Sequence, residues 1–145
     1  MNALAVVSDI GLDLRKLPDL ADAATRARLS PAAISAFFAI VDKWELRSED
    51  AMGLLGGASH GRYYELKKRR KGLLSQDELT RISLLIGIFK ALNILFHQRL
   101  ANQWTSRPNS NPMFNGAPPL QLLVRGGVLG MISVRRLLDS RRGGR

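Results

Sequence analysis

The sequence of 145 residues has no cysteine and only two histidines, and this shortage narrows the chemistry available to the chain. Without cysteine there are no disulfides, no thiolate metal ligands and no cysteine nucleophile. His60 and His97 are far apart and belong to no HExxH or similar spacing, so a zinc site is not expected. Nucleophile–base pairs, paired carboxylates and a phosphate-binding loop are also missing, and acidic residues are sparse after Glu78. We therefore expect a protein that is not an enzyme and holds neither metal nor cofactor.

Long hydrophobic runs are absent as well. The first apolar stretch is short, is interrupted by Asp9 and follows no basic segment, so it is too short for a signal peptide. Nothing elsewhere approaches a membrane span, and we expect a cytoplasmic protein without membrane contacts. The hydrophobic fraction of 46% is ordinary for a folded chain. At this length it favours one domain, or two small modules that share a core.

The net charge of +10 is concentrated in two basic blocks. Residues 59–72 contain six basic residues against Glu65, and residues 101–145 contain seven arginines against Asp139. Such blocks usually attract phosphate or another acidic surface. The alternative for the first block is that it is only the solvated face of a helix.

The pattern predicts an all-α fold, a helical bundle, because apolar residues recur at helical spacing and no stretch alternates like a strand. Ser30 followed by Pro31 predicts the start of the first strong helix, since serine caps free N–H groups and proline suits the first helical position. The residues before it, 1–29, have weak periodicity and form a loose helix or a partly disordered extension.

A helix-turn-helix unit is predicted next. Ser48 is expected to cap a short helix that Gly56 and Gly57 end. Ser59 then opens a second helix, which Gly72 closes. Two short helices joined by a glycine-bearing turn are typical of this unit.

The longest predicted helix follows from Ser75, which forms a capping box with Glu78. Its apolar residues recur every three or four positions, but Ile88 and Leu95 lie off that stripe. Burial on two sides is therefore expected, either as a central core helix or as one side of a dimer seam.

The amino-acid composition changes after Trp104, where prolines, asparagines and Gly116 predict a structured loop. Two short helices, "LQLLVRGG" and "VLGMISVRRLLDSRR", are expected after it. The final "RRGGR" is predicted to be a mobile tail, and Asp139 an intrahelical partner of the neighbouring arginines.

The second helix of a helix-turn-helix unit lies in the major groove of DNA. Its N-terminal residues face base edges, so Arg62 is a candidate for forking onto a guanine, whereas the lysines and arginines that follow pair with phosphates. Tyr63 is expected to be buried and Tyr64 half exposed. The predicted DNA-binding residues are Ser59, His60, Arg62, Tyr64, Lys67, Lys68, Arg69, Arg70 and Lys71. Charge alone leaves RNA or another anionic surface open.

The C-terminal half carries a specific set of motifs: W-x-x-x-P-N, then F-x-G-x-x-P-L, then a glycine pair and R-R-x-L-D. Their residues are Trp104, Pro108, Asn109, Phe114, Gly116, Pro119, Leu120, Gly126, Gly127, Arg135, Arg136, Leu138 and Asp139. In these motifs the chain strongly resembles the Xre/MbcA/ParS family of bacterial antitoxins. The resemblance runs from about Leu54 to the end, and "LLGGASHGRYYELKK" matches the family's Xre-like helix-turn-helix.

The resemblance implies two partners. One is a RES-domain toxin that degrades NAD or transfers its ADP-ribose, whose NAD cleft the C-terminal region covers. The other is the promoter DNA of the chain's own operon, which the N-terminal part binds as a homodimer. The toxin-binding residues expected on this basis are Trp104, Arg107, Pro108, Asn109, Phe114, Leu120, Arg125, Arg135, Arg136, Arg141 and Arg142. Trp104 and Phe114 are interface-anchor types, although they can equally anchor the loop on the chain's own core.

The expected organisation is therefore an N-terminal extension (1–29), a helical dimerisation and DNA-binding region (30–97) and a toxin-binding domain (98–145). A flexible arginine-rich tail is expected to reach into the toxin's cleft. The alternative function is a stand-alone helix-turn-helix regulator whose C-terminal region only oligomerises.

Overall fold

The computed structural model describes residues 18–143, and within this range the chain has seven α-helices, two 3₁₀ turns and no strand. The all-α prediction is confirmed. The helices are α1 (Ala23–Lys43), α2 (Ser48–Leu54), α3 (His60–Arg69), α4 (Gln76–Leu95), α5 (Gln98–Gln103), α6 (Pro119–Arg125) and α7 (Gly127–Arg142). The 3₁₀ turns, Trp104–Ser106 and Pro112–Phe114, lie between α5 and α6. No helix in the described range is long and apolar enough to cross a membrane.

Helix α4 is the central element, with α1 and α7 packed along it. Its capping box is confirmed, because the Ser75 hydroxyl accepts from the Glu78 N–H at 3.0 Å and the Ser75 N–H donates to the Glu78 carboxylate at 2.9 Å. Ile88, which lies off the main apolar stripe, is completely buried. Of the two alternatives for this helix, the structure has the central core helix.

Helices α4 and α7 run parallel. Gly127, at the start of α7, lies beside Arg81, and Arg135 lies beside Gly87. Met131, Val134 and Leu138 make the buried side of α7. The last turn of α7 therefore points toward the C-terminal end of α4.

Helix α1 corrects the start predicted at Ser30 and Pro31. The helix begins at Ala23, capped by Asp22, and Pro31 lies inside it. Ser30 is buried, and its hydroxyl bonds to the carbonyl four residues earlier and accepts from the Leu74 N–H at 2.9 Å. Ser30 thus does not cap a helix but hydrogen-bonds α1 to the segment before α4. Part of the predicted extension is helical, and residues 1–17 lie outside the described range.

The helix-turn-helix unit is formed by α2 and α3. Gly56 and Gly57 end α2 as predicted, both with positive φ (+89° and +85°), a region that glycine enters without strain. Ser48 is the first residue of α2 and not its cap, since Arg47 occupies the cap position. Nor does Gly72 close α3, because Arg70 takes the left-handed C-cap position with φ of 57°.

The two C-terminal helices are present as α6 and α7, joined through Gly126. Helix α7 extends to Arg142, so the predicted mobile tail is wrong for Arg141 and Arg142, which are helical. Residues 144 and 145 lie outside the described range. Asp139 is the predicted intrahelical partner, since it accepts from the Arg135 Nε at 3.0 Å.

Candidate functional site

Helix α3 is seated on α1 by its buried face. Tyr63 is 1% exposed, Leu66 is equally buried, and the Tyr63 ring lies 5.4 Å from the ring of Phe38. Ser59 caps α3 as predicted, because its hydroxyl accepts from the Arg62 N–H at 3.1 Å. Tyr64 is 46% exposed, so the prediction of one buried and one half-exposed tyrosine is confirmed.

Arg62 is held against α4 and does not point outward. Its guanidinium donates to both carboxylate oxygens of Glu78, at 2.7 and 3.2 Å, and to the Leu73 carbonyl at 3.1 Å. A bidentate pair of this kind is among the stronger side-chain interactions. The Nε and Nη2 donors are therefore bonded within the chain, and the fork onto a guanine stays a prediction for which only the Nη1 donors remain.

The Glu78 carboxylate is only 12% exposed and joins the capping box to α3. Burial raises the pKa of this carboxyl, but the hydrogen bonds from Arg62 and Ser75 outweigh burial and hold the pKa below its ordinary value of 4.5. Glu78 therefore stabilises the position of α3 in its ionised form.

This lowered pKa predicts an acid-sensitive fold. A carboxyl whose folded-state pKa is depressed contributes stability above its unfolded-state pKa and loses it as pH falls through the folded-state value. We expect the free energy of unfolding of the wild-type chain to fall more steeply between about pH 5 and pH 3 than that of Glu78→Gln. Denaturant titrations across this range measure both slopes. Glu65→Gln removes an exposed carboxylate that pairs with Arg69 and should keep the wild-type slope; a wild-type slope for Glu78→Gln would contradict the assignment.

The exposed face of α3 combines aromatic and basic side chains. His60 stacks near Tyr64 with ring centroids 6.3 Å apart, and the Lys67 Nζ lies 6.0 Å from the Tyr64 ring. Lys68 and Lys71 are exposed further along. His60, Tyr64, Lys67 and Lys68 share one face, since positions three and four apart are neighbours on a helix, whereas Lys71 lies beyond the end of α3.

The remaining two arginines of the basic run are engaged within the chain. Arg69 pairs with Glu65, and the Arg70 guanidinium lies 4.8 Å from the centre of the Phe38 ring. Lys67 and Lys68, for which the described range contains no acidic partner, are therefore the side chains of α3 best placed to receive phosphate.

The proline-rich loop is pinned by an aromatic pair. Trp104 and Phe114 are 7% and 4% exposed, and their rings meet edge to face at 5.9 Å. Of the two roles considered for them, the structure supports the anchoring of the loop on the chain's own core. Little of either side chain is exposed in this conformation, and their contact with a toxin stays a prediction.

The pinned loop presents other predicted residues at the surface. Arg107 and Pro108 are exposed, whereas Asn109 is half buried, and its side-chain oxygen accepts from the Asn111 N–H at 2.9 Å. Asn109 therefore shapes the turn. Met113 is a large apolar side chain of this loop that remains 37% exposed.

Two open clefts flank α6, and Pro118, Gln121 and Arg125 line both. The first, of about 290 Å³, lies between α6 and α2 and includes Leu120. The second, of about 330 Å³, lies between α6 and the loop and includes Met113. Helix α6 is thus a ridge with an exposed arginine between two depressions.

Arg135 is the least exposed of the α7 arginines. Its guanidinium lies directly against Gly87 of α4, where even a methyl group would displace it. Its Nε donates to both oxygens of Asp139. Arg135 therefore acts first in the packing of α7 on α4, and its predicted contact with a toxin requires it to leave this position.

Arg136, Arg141 and Arg142 are the accessible arginines of α7. Arg142 lies 3.7 Å from Asp139, a loose pair that leaves its guanidinium available to another acidic group. The predicted flexible tail is thus corrected for residues up to Arg142, which are helical, and three arginines of this helix are exposed.

The two halves of the chain are packed directly on each other. A methyl group on Gly53 of α2 would come within 2.7 Å of the Val124 side chain of α6. Arg81 of α4 lies between Gly56, in the turn of the helix-turn-helix unit, and Gly127 at the start of α7. The helix-turn-helix unit and the two C-terminal helices are therefore in direct contact with each other.

Two family models match the chain in succession. Residues 21–87 match the antitoxin Xre-like helix-turn-helix domain, and residues 91–144 match the antitoxin Xre/MbcA/ParS C-terminal toxin-binding domain. The chain belongs to the Xre/MbcA/ParS family of antitoxins. Its resemblance to this family is confirmed, and it has the two domains of a type II antitoxin, with a cognate toxin as partner and a helix-turn-helix unit that suggests DNA.

The antitoxin is 39% identical over 115 residues to y4oB of Sinorhizobium fredii, an uncharacterised protein. The match covers 79% of the antitoxin and 87% of that relative. No solved structure matches the antitoxin. In the described range the antitoxin has no cluster of three or more His, Cys, Asp or Glu residues that could hold a metal ion.

Sequence reasoning missed several residues of these surfaces. Gln121 and Met113 line the clefts, but neither belongs to a pattern that indicates a surface. Gly53 and Gly87 did carry a signal, because a glycine inside a helix often marks close approach of another element. No such signal exists at Arg81, because its contacts depend on which turns lie beside it in the folded chain.

Proposed function

We propose that this antitoxin neutralises a RES-domain toxin by covering its NAD cleft, and that it represses its own operon by binding promoter DNA as a homodimer. The observation that carries the proposal is the separation of two basic surfaces along α4. The basic face of α3 is tied to Glu78 at the start of α4, and the α7 arginines lie beyond Gly87. At 1.5 Å per helical residue, the two surfaces are on the order of 20 Å apart along the α4 axis.

The α7 arginines suit the toxin. A cleft that consumes NAD and carries a catalytic carboxylate offers acidic groups to an arginine fork. Arg136, Arg141 and Arg142 project from a helix that is already ordered, so docking costs less conformational entropy than docking a flexible tail. The α6 ridge and its clefts adjoin the start of this helix through Gly126 and offer a second surface to the toxin.

The α3 face suits DNA. It is exposed and basic, and it belongs to the second helix of the unit, which is the helix that enters the major groove in this motif. A homodimer places two such helices on two half-sites of an operator. Because α4 is packed between α1 and α7, we expect the dimer contact on another element.

The test of the toxin assignment is NAD consumption by the RES-domain protein encoded beside the antitoxin. Full-length antitoxin should suppress it, and the triple variant Arg136→Glu, Arg141→Glu, Arg142→Glu should require at least about tenfold more protein for the same inhibition, because reversed charges oppose an acidic cleft. The matched control is Lys67→Glu, Lys68→Glu, Lys71→Glu, which changes the charge equally at the other surface and should inhibit like the wild type.

The outcomes separate the alternatives. Failure of the wild-type antitoxin to inhibit would reject the RES toxin and favour a stand-alone regulator. Equal inhibition by the wild type and the α7 variant would retain the toxin and reject α7 as the covering element.

A further inference from the structure

Between residues 23 and 142, every glycine but one has a reason inside the chain, and the exception is Gly61. Five glycines have positive φ, a conformation that other residues rarely adopt: Gly56, Gly57, Gly72, Gly116 and Gly127. Four more are closely approached by another part of the chain, which an added methyl group would displace: Gly53, Gly87, Gly126 and Gly130. Gly143, which follows the last helix, would meet only ordinary contacts at 3.7 Å. At Gly61 no described atom would lie within 4 Å of an added methyl group, and φ is not positive.

Gly61 is therefore not required by the fold and is unfavourable for it. It is the second residue of α3, where glycine is less favourable than alanine by up to about 1 kcal/mol. A side chain at position 61 would lie in solvent on the exposed surface of α3, and in the sequence this position falls between His60 and Tyr64. A missing side chain at such a place matters only to something outside the chain.

The neighbouring side chains indicate what lies there. Arg62, the one long side chain near the start of α3, is held by Glu78 and so does not stand between α3 and a partner. The rings of His60 and Tyr64 and the lysines at positions 67 and 68 make the rest of the surface aromatic and cationic. Aromatic and cationic groups around an exposed backbone fit a nucleic acid better than an apolar protein surface.

We infer that Gly61 is the point of closest approach between α3 and duplex DNA, where the helix backbone lies against the groove without an intervening side chain. His60 and Tyr64 flank this point, and Lys67 and Lys68 receive the adjacent phosphates. The inference rests on the DNA-binding part of the proposed function and adds a position to it at which the side chain must be absent.

The test measures binding and stability of the full-length antitoxin together. The probe is a duplex containing the region immediately upstream of its coding sequence. Gly61→Ala should leave the melting temperature unchanged or raise it, yet weaken duplex binding by about tenfold or more, and Gly61→Val should weaken it further, as a larger group holds the helix further from the groove. Gly143→Ala, which adds the same methyl group at the distant end of α7, should bind like the wild type.

Each other outcome counts against the inference. Binding by Gly61→Ala within about twofold of the wild type would overturn it while leaving DNA binding intact. A wild-type antitoxin that fails to bind the duplex would overturn the DNA part of the proposed function as well. Loss confined to an RNA hairpin measured in parallel would replace DNA by RNA as the partner.

Discussion

Replacing Trp104 by alanine is expected to lower the free energy of unfolding of the antitoxin by about 3–5 kcal/mol, the usual result of emptying a large aromatic site in a core. The indole is 7% exposed and packs edge to face on Phe114. Without it, the 3₁₀ turn at Trp104 loses its contact with α6, which is the ridge between the two clefts. The variant should therefore lose toxin inhibition at temperatures where the wild type retains it.

Denaturant unfolding followed by circular dichroism measures this change. Arg107→Ala is the matched control, because Arg107 lies on the same loop but is exposed, and surface substitutions usually stay within about 0.5 kcal/mol. A loss below about 1 kcal/mol for Trp104→Ala would mean that the loop is not anchored by this side chain.

A chain truncated before Trp104 would test toxin binding less well than these point variants do. It removes Met131, Val134 and Leu138, each fully buried against the rest of the fold. The central helix α4 would then expose the face that α7 covers. Loss of inhibition by such a truncated chain would report a damaged core as readily as a missing toxin surface.

Replacing Lys67, Lys68 and Lys71 together by alanine should weaken promoter binding by about a hundredfold at roughly physiological salt. Each phosphate contact contributes about 0.9 to the slope of log affinity against log salt, so the loss of three should reduce the slope by about 2.7. Lysine and alanine are both good helix formers, and the three side chains are exposed, so the fold should be unaffected.

The measurement is a salt titration of duplex binding with the wild type, this variant and a control. The control is Arg136→Ala, Arg141→Ala, Arg142→Ala, which removes the same charge from α7 and should keep the wild-type slope. An unchanged slope for the lysine variant would exclude these lysines from phosphate contact. Equal reductions for both variants would indicate that DNA contacts both basic surfaces.

The sequence pattern predicts the helices well where local chemistry decides them. The capping box of Ser75 and Glu78, the glycine turn after α2 and the cap of α3 at Ser59 all depend on residues within a few positions of each other. The start of α1 was predicted wrongly because Asp22, three positions before Thr25, is the cap. Ser30 bonds instead to Leu74, a contact across 44 positions that no local pattern contains.

The site residues are harder to predict for the same reason. Arg62 has the residue type and position of a side chain that contacts DNA bases, but it is hydrogen-bonded to Glu78, sixteen positions later in the sequence. Trp104 has the type of an interface anchor, yet Phe114 and the core cover it. Residue type indicates what a side chain is capable of contacting, and only the fold decides which partner reaches it first.

The contact between Gly53 and Val124 limits how such antitoxins can diversify. A helix-turn-helix unit transplanted from another family member with a larger residue at position 53 would collide with α6, unless a smaller residue at position 124 came with it. Arg81, which lies between the turns at Gly56 and Gly127, limits the exchange of these two regions in the same way. New combinations of operator and toxin specificity should therefore arise more readily through changes on the outer faces of α3 and α7 than through exchange of whole domains.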